Sequence, residues 1–424
     1  MQYPFSIPND SPFPVANIPF GIFSTVEHPT PRPGVALGDY ILDLQELIRI
    51  GLFLAHGGGL KGNLNAFAAL PRATRSKLRK DIQCALTDGS SFIYVGPSSS
   101  AIIPTSRAIM HMPMAVPNFT DFMCSFEHVS TVGKLAGHEQ VPPSFYNIPL
   151  GYNGRASSVV VSGKSITRPT GMVQTPDGAV YSACQKLDYE AEVGMFISQP
   201  VSYDSIVPEA RMHEHVFGFV LLNDWSARDV QFYEMSPLGP FLGKAGATSI
   251  SPWVVTLDAL AEAGALHQLG SADPIEMTLS PFIRRTINLS VHVTSFVIRS
   301  GGHELEKLGE SNVAHLHWSP FQMAAHLSSS GYGLATGDLI GTGTLSSTRG
   351  QALQCGNDPE RRSGCLCEIV QGGRQPLQLS DGSSMTWLED GDAVVLQGWA
   401  GSGEARIGFG QLHNIVAPSR RLPV

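Results

Sequence analysis

The sequence predicts a mainly β, α+β fold divided into two domains, on three observations. The chain has 424 residues, more than one domain usually holds. It carries 44 glycines and 30 prolines, a supply of turns that suits many short strands better than a helical bundle. Its apolar residues gather in short bounded runs such as Val216–Leu222, which reads as a buried strand. With 42% hydrophobic and 15% charged residues, a packed core is available and general disorder is excluded. The formal charge of −8, with no basic stripe, argues against nucleic acid as a partner.

Taken in order, residues 1–35 are punctuated by eight prolines and predict an ordered arm rather than a helix. Gly34 to Leu44 reads as two short strands around a Gly38-Asp39 turn. Residues 44–54 can form a helix, and Ser76 to Leu86 forms another with Leu78, Ile82 and Leu86 on one face. Met112 to Pro117 resembles a connector, which sets the domains at 1–118 and 119–424. Ile287 to Thr294 alternates as a one-sided strand. Ser319 and Pro320 open a helix as N-cap and first helical residue. Gly337 to Thr344 is a strand running into a small-residue turn, where backbone can approach a ligand. Residues 347–364 form a polar loop, and Asp390–Leu396 and Ile407–Gly410 close the chain as strands.

Chemistry gathers in the second domain. After the Val216–Leu222 strand, a helix is expected to carry Asp224, Arg228, Gln231 and Met235 along one face. Asp121 and His128, seven residues apart, would share a face if both lay on a helix. Leu187 to Phe196 alternates as a strand, with Asp188, Glu190 and Glu192 on one side. Such a face is commonly solvated. The alternative is a pair of hard oxygen ligands for Mg²⁺ or Ca²⁺, to which Asp121 and Asp224 would add two more carboxylates. Gly239 to Lys244 is not a phosphate-binding P-loop: only three residues separate Gly239 from Gly243, and Ala245 stands where Ser or Thr is needed. It reads as a tight loop delivering Lys244 towards Asp224. The six cysteines show no zinc-like spacing and are expected to be free thiols in a reducing compartment. No secretory leader begins at Met1 and no stretch of about 18 apolar residues could span a bilayer, so a cytoplasmic protein without a membrane partner is expected.

The stretches Tyr152–Gly163, Asn223–Gln231 and Pro237–Lys244, in this order, resemble the fumarylacetoacetase family, and the likeness runs from Ile18–Ser24 to Ile407–Gly410. The resemblance implies a small N-terminal SH3-like barrel, a larger C-terminal domain of rolled mixed β-sheet, a homodimer and a divalent cation. It implies that Asp121, Glu190, Glu192 and Asp224 bind the metal, with Lys244 and Thr248 beside a second cation position. His128 would activate water, oriented by Glu368. Arg228, Gln231 and Lys244 would surround the developing oxyanion. The family activity is hydrolysis of a carbon–carbon bond in a 1,3-diketone, with the cation countering the charge of the departing enolate.

Three substrate positions depart from the family pattern. Met123 and Met235 stand where tyrosines are expected, and Gly137 where an arginine is expected. Tyr152, Gln231 and Thr344 match. Loss of one guanidinium and two hydroxyls removes hydrogen bonds of about 1–3 kcal/mol each and makes the pocket more apolar. The expected substrate is therefore a small diketo compound like fumarylacetoacetate, with a more apolar, polyketide-like diketone as a variant. The alternatives are an ordinary fumarylacetoacetase of tyrosine catabolism giving fumarate and acetoacetate, the same metal site used for decarboxylation, isomerisation or dehydration, and a non-catalytic binding protein.

Overall fold

The computed structural model describes residues 7–51, 60–88, 98–269, 281–347 and 362–420. The fold is mainly β, as expected, and its curled sheets stack in layers. The first is a five-stranded antiparallel sheet, in the spatial order Ile102–Pro104, Tyr40–Asp43, Arg32–Leu37, Phe20–Ser24 and Ile109–His111. The expected turn between its second and third strands in sequence is present, with Gly38 at φ +57°. The helix foreseen over 44–54 is Leu44–Arg49, capped by the Asp43 carboxylate; residues 52–54 lie outside the described residues. The helix foreseen from Ser76 starts earlier, at Arg72, directly after Pro71, and buries Leu78, Ile82 and Leu86.

The second layer is an eight-stranded mixed sheet. Its path runs Gly151–Gly154, Phe119–Phe122, Leu339–Gly341, Ala191–Ile197, Val216–Asp224, Thr248–Ile250 and Val159–Val161, with Val255–Thr256 added beside the longest strand. One face of this sheet, with Phe196, Phe217, Val220, Leu222 and Leu339, shares a core with Phe20 and Phe67 of the N-terminal region. The Phe217 ring lies 6.5 Å from Phe20 and 6.0 Å from Phe67, centre to centre. The opposite face, with Met195, Phe219 and Leu221, packs against the third layer. That layer is a five-stranded sheet of Glu306–Asn312, His292–Ile298, Ala393–Ala400, Ile407–Ala417 and Ile166–Thr167.

Several local expectations are corrected. The helix after the central strand is Arg228–Glu234, so Asp224 is the last residue of a strand and Met235 only caps the helix. Between them Ser226–Ala227 pairs with Leu187–Asp188, and this long-range pairing ends any helix there. Asp121 and His128 share no helix. Asp121 lies in the strand Phe119–Phe122, and His128 in the helix Phe126–Leu135, which starts where the Ser125 hydroxyl accepts from the His128 amide at 3.2 Å. The alternating segment 187–196 has no solvated face: Asp188, Glu190 and Glu192 are all buried, and Ala191–Ile197 lies inside the sheet with both sides covered. The segment 287–294 is two strands, Ile287–Leu289 and His292–Ile298. The Ser319 helix forms as read, Pro320–Ser328, with a complete capping box. Most of the polar loop 347–364 lies outside the described residues.

Candidate active site

The site forms across neighbouring strands of the eight-stranded sheet, with Leu339–Gly341 lying between Phe119–Phe122 and Ala191–Ile197. Asp121 sits on Phe119–Phe122, Glu190 and Glu192 flank the start of Ala191–Ile197, and Asp224 ends Val216–Asp224. Antiparallel register sets Ala191 opposite Asn223, and the Asn223 side chain accepts from the Glu190 amide at 3.0 Å. Glu190 is held beside Asp224 by backbone pairing rather than by its own charge. Carboxylate oxygens of Asp121, Glu190 and Asp224 lie within 4.8 Å of one another, all buried. The Leu339–Gly341 strand completes the enclosure. The Gly343 amide donates to Glu192 Oε2 at 3.0 Å, and a Cβ on Gly341 would run into Asp121 Oδ1 and come within 3.0 Å of Glu192 Oε2. The small-residue turn therefore lets backbone approach the carboxylates, as its composition suggested.

Two buried cations offset this charge. The Lys244 ammonium bonds Glu190 and lies 2.7 Å from Asp224 Oδ2. Its loop is tied down by Glu234, whose carboxylate accepts from the Phe241 and Gly243 amides. Arg228 spreads its guanidinium over Asp188 Oδ2 at 2.8 Å from Nε, Glu190 Oε1 at 2.8 Å and Gln231 Oε1 at 3.1 Å. Burial works against ionisation of Glu190, but Lys244 and Arg228 outweigh it and hold that carboxyl well below the usual range. Asp121 and Glu192 lack such partners. Burial and the neighbouring carboxylates, Asp224 beside Asp121 and Asp121 beside Glu192, push both well above the usual range. Asp121 Oδ1 and Glu192 Oε1 are buried with no hydrogen-bond partner among the described residues. A divalent cation fits this donor set: it would satisfy both oxygens and relieve the repulsion, and an all-carboxylate site suits a hard ion. Thr248 Oγ1 donates to Asp224 Oδ1 at 2.9 Å, and the Tyr152 hydroxyl lies 2.6 Å from Asp224 Oδ2 and 3.1 Å from Asp121 Oδ2.

His128 stands at the edge of this cluster. Its Nδ1 is hydrogen-bonded to Glu368 Oε1, and its Nε2 lies 3.6 Å from Glu190 Oε1 and 3.4 Å from Thr344 Oγ1. Glu368 is anchored in turn by the Ser346 hydroxyl at 2.9 Å. A carboxylate-oriented imidazole with its second nitrogen facing a metal centre is built to move a proton. On the Tyr152 and Lys244 side of the carboxylates opens a cavity of about 260 Å³, whose wall also includes Arg155 and Phe241 but not His128.

The structure thus gathers Asp121, Glu190, Glu192, Asp224, Lys244, Thr248, Arg228, Gln231, Tyr152, Thr344, His128 and Glu368. Met123 and Met235 are half-buried and add no polar group. Gly137 stands apart. It is exposed just past the His128 helix at φ +90°, with its amide bonded to the Lys134 carbonyl at 3.1 Å. That helix-terminating conformation is cheap only for glycine. Sequence reasoning missed Asp188, which fixes Arg228 and also accepts from the Leu366 and Cys367 amides at 2.7 and 3.0 Å. It also missed Ser346 and the N-cap Ser125. Only Asp188 left a signal, standing two residues before Glu190 on the same side of the alternation.

Strand-rich layers, a buried carboxylate centre suited to a metal, and a His–Glu pair define a metal-dependent hydrolase. Residues 16–113 match the family model described as fumarylacetoacetase N-terminal, and residues 118–417 that of fumarylacetoacetate (FAA) hydrolase C-terminal. The chain is 37% identical to fumarylacetoacetase fahA of Aspergillus fumigatus over 437 residues, covering 98% of each protein. It is 36% identical to the fumarylacetoacetase of Homo sapiens over 425 residues, covering 97% of this chain and 98% of that one. A solved fumarylacetoacetate hydrolase from Exiguobacterium antarcticum shares the fold, with a TM-score of 0.52 and 18% identity over 95% of this chain and all of that one. The chain belongs to the fumarylacetoacetase family and is a hydrolase acting on a carbon–carbon bond. No helix among the described residues is long and apolar enough to cross a membrane.

Proposed function

We propose that the chain hydrolyses a 1,3-diketone of the fumarylacetoacetate type, and that the gathered residues carry the roles set out here. The observation that carries the proposal is the placement of His128 Nε2 at 3.6 Å from Glu190, with Nδ1 held by Glu368. Asp121, Glu190, Glu192 and Asp224 would hold the cation, Mg²⁺ or Ca²⁺. When bound it polarises the substrate carbonyls and offsets the charge of the enolate leaving group. His128 takes a proton from water at Nε2, while Glu368 keeps Nδ1 protonated and stabilises the imidazolium. The resulting hydroxide adds to one carbonyl, the adduct collapses with cleavage of the bond to the central carbon to give a carboxylic acid and an enolate, and the proton held by His128 returns to the enolate carbon. Lys244 uses two of its three N–H donors on Glu190 and Asp224 and lines the cavity, so a third donor is free for the oxyanion. Arg228 fixes Glu190 and adds positive charge beside it, and the Gln231 side-chain oxygen accepts from the guanidinium and holds it in place.

The half-buried Met123 and Met235 favour an apolar substituent on the diketone. We further assign residues 1–118 and 119–424 as the two domains, a homodimer as the working form and the cytoplasm as its location. The deciding experiment is kcat/KM on fumarylacetoacetate with Mg²⁺ beside a neutral apolar 1,3-diketone of similar size. Cleavage of at least one with carbon–carbon scission is expected. No turnover of either, with the cation bound, would overturn the proposal.

A further inference from the structure

Far from the catalytic cluster, the Arg72–Thr87 helix meets the short helix Leu257–Glu262 and the start of the Val216–Asp224 strand. Arg72, Arg75 and Arg79 lie on one face of the first helix, at the spacing that brings helical side chains together. They line a cavity of about 10 Å³, walled otherwise by Phe20, Phe67, Phe217 and Asp258 among others. Two of the three guanidiniums have carboxylate partners: Arg72 pairs with Asp258 at 2.7 Å, and Arg79 with Glu262 at 2.8 Å. Arg75 has none among the described residues. Its Nε donates to the Leu70 carbonyl at 3.0 Å, and its guanidinium carbon sits 5.6 Å from the centre of the Phe217 ring.

The donors are left over as well as the charge. Arg75 Nη2 and Arg79 Nε are both buried and have no hydrogen-bond acceptor among the described residues, in side chains 7% and 2% exposed. Buried donors on a cation are costly to leave unmet. Burial, reinforced by Arg72, pushes the Arg75 guanidinium down to about 10 despite Asp258 nearby, as befits a cation short of a counter-ion. The cavity has room for about one water-sized particle, which is too little for phosphate, sulfate or a carboxylate ligand.

We propose that this cavity binds one small monovalent anion of the halide class, chloride in ordinary buffers, held by Arg75 and Arg79 at the seam between the N-terminal helix and the catalytic sheet. The anion supplies the missing acceptor for both donors and the missing negative charge for Arg75. It ties three elements together without touching the reaction.

Crystals of the whole protein grown with sodium bromide test the site directly. An anomalous bromide peak in hydrogen-bond reach of Arg75 Nη2 and Arg79 Nε is expected, and ordinary water density there with no anomalous signal would overturn the proposal. In solution, the melting temperature is expected to rise saturably by about 2 °C or more when sodium gluconate is exchanged for sodium chloride or bromide at constant ionic strength. Arg75→Met should lose that rise, and an unchanged rise would count against the site. If Arg75→Met does not fold, Arg75→Lys, which keeps the charge but not the forked donors, should weaken the response and the crystal test still stands.

Discussion

Glu190 is contacted by Lys244 and Arg228 and faces His128, so one carboxylate ties the proposed metal site to the proposed proton-transfer pair. Removal of the imidazole should separate the two. His128→Ala is expected to lower kcat by about 10²–10⁴-fold while leaving the cation-induced rise in melting temperature intact. Parallel kinetics and calorimetry check both halves, and intact turnover would end the water-activation scheme. Gly341→Ala tests the enclosure instead. Its Cβ would collide with Asp121 Oδ1, so cation affinity should fall by about 10–100-fold by isothermal titration. At this scale the sequence was most legible where charge stood in an otherwise apolar run. Glu190, Glu192 and Asp224 were found that way, and Asp188 was passed over because its partner, Arg228, lies forty residues away and is reached only by folding. His128 and Glu368 acquired their roles from resemblance; their adjacency depends on a contact spanning 240 residues that no spacing rule reports.

Among the elements, local signals succeeded where they govern the ends of helices. Ser319 closes a full capping box with Gln322, and Ser319→Ala should cost about 1 kcal/mol, read from the denaturant midpoint at unchanged slope. They failed where a strand pairing overrides propensity, as at Ser226–Ala227, whose partner is Leu187–Asp188. The seam helix gives a pH prediction. Burial works against ionisation of Asp258, but the Ser76 hydroxyl and Arg72 outweigh it and hold the carboxyl below its ordinary value of 3.8. A depressed folded value means that the contribution is complete above the unfolded value and is lost as pH falls through the folded one. The melting temperature should therefore drop below about pH 4. Asp258→Asn should be less stable at pH 7 and show a shallower acid slope.

At the scale of the whole molecule one cluster concentrates the buried charge: among the described residues, Asp121, Asp188, Glu190, Glu192 and Asp224 are set there against the buried cations Arg228 and Lys244. Metal-free protein is expected to be strained by that surplus. Asp121→Asn should raise the melting temperature measured in chelator and abolish the gain on adding Mg²⁺ or Ca²⁺. A mutant that still gains as much as the parent would remove Asp121 from the metal set. The layering was legible only in outline: turn-rich composition pointed to strands, but no local pattern could say that the N-terminal region covers the eight-stranded sheet.

That covering has its own consequence. Phe196, Phe217, Val220, Leu222 and Leu339 form one wall of the metal-bearing sheet, and Phe20, Phe67 and their neighbours are its only lid among the described residues. A fragment trimmed to residues 118–424 would leave the ribosome with that oily wall bare, on the back of the strand that ends in Asp224. The N-terminal region is thus the cover of that wall, and shortening the gene would discard the cover along with residues that contribute nothing to the candidate site.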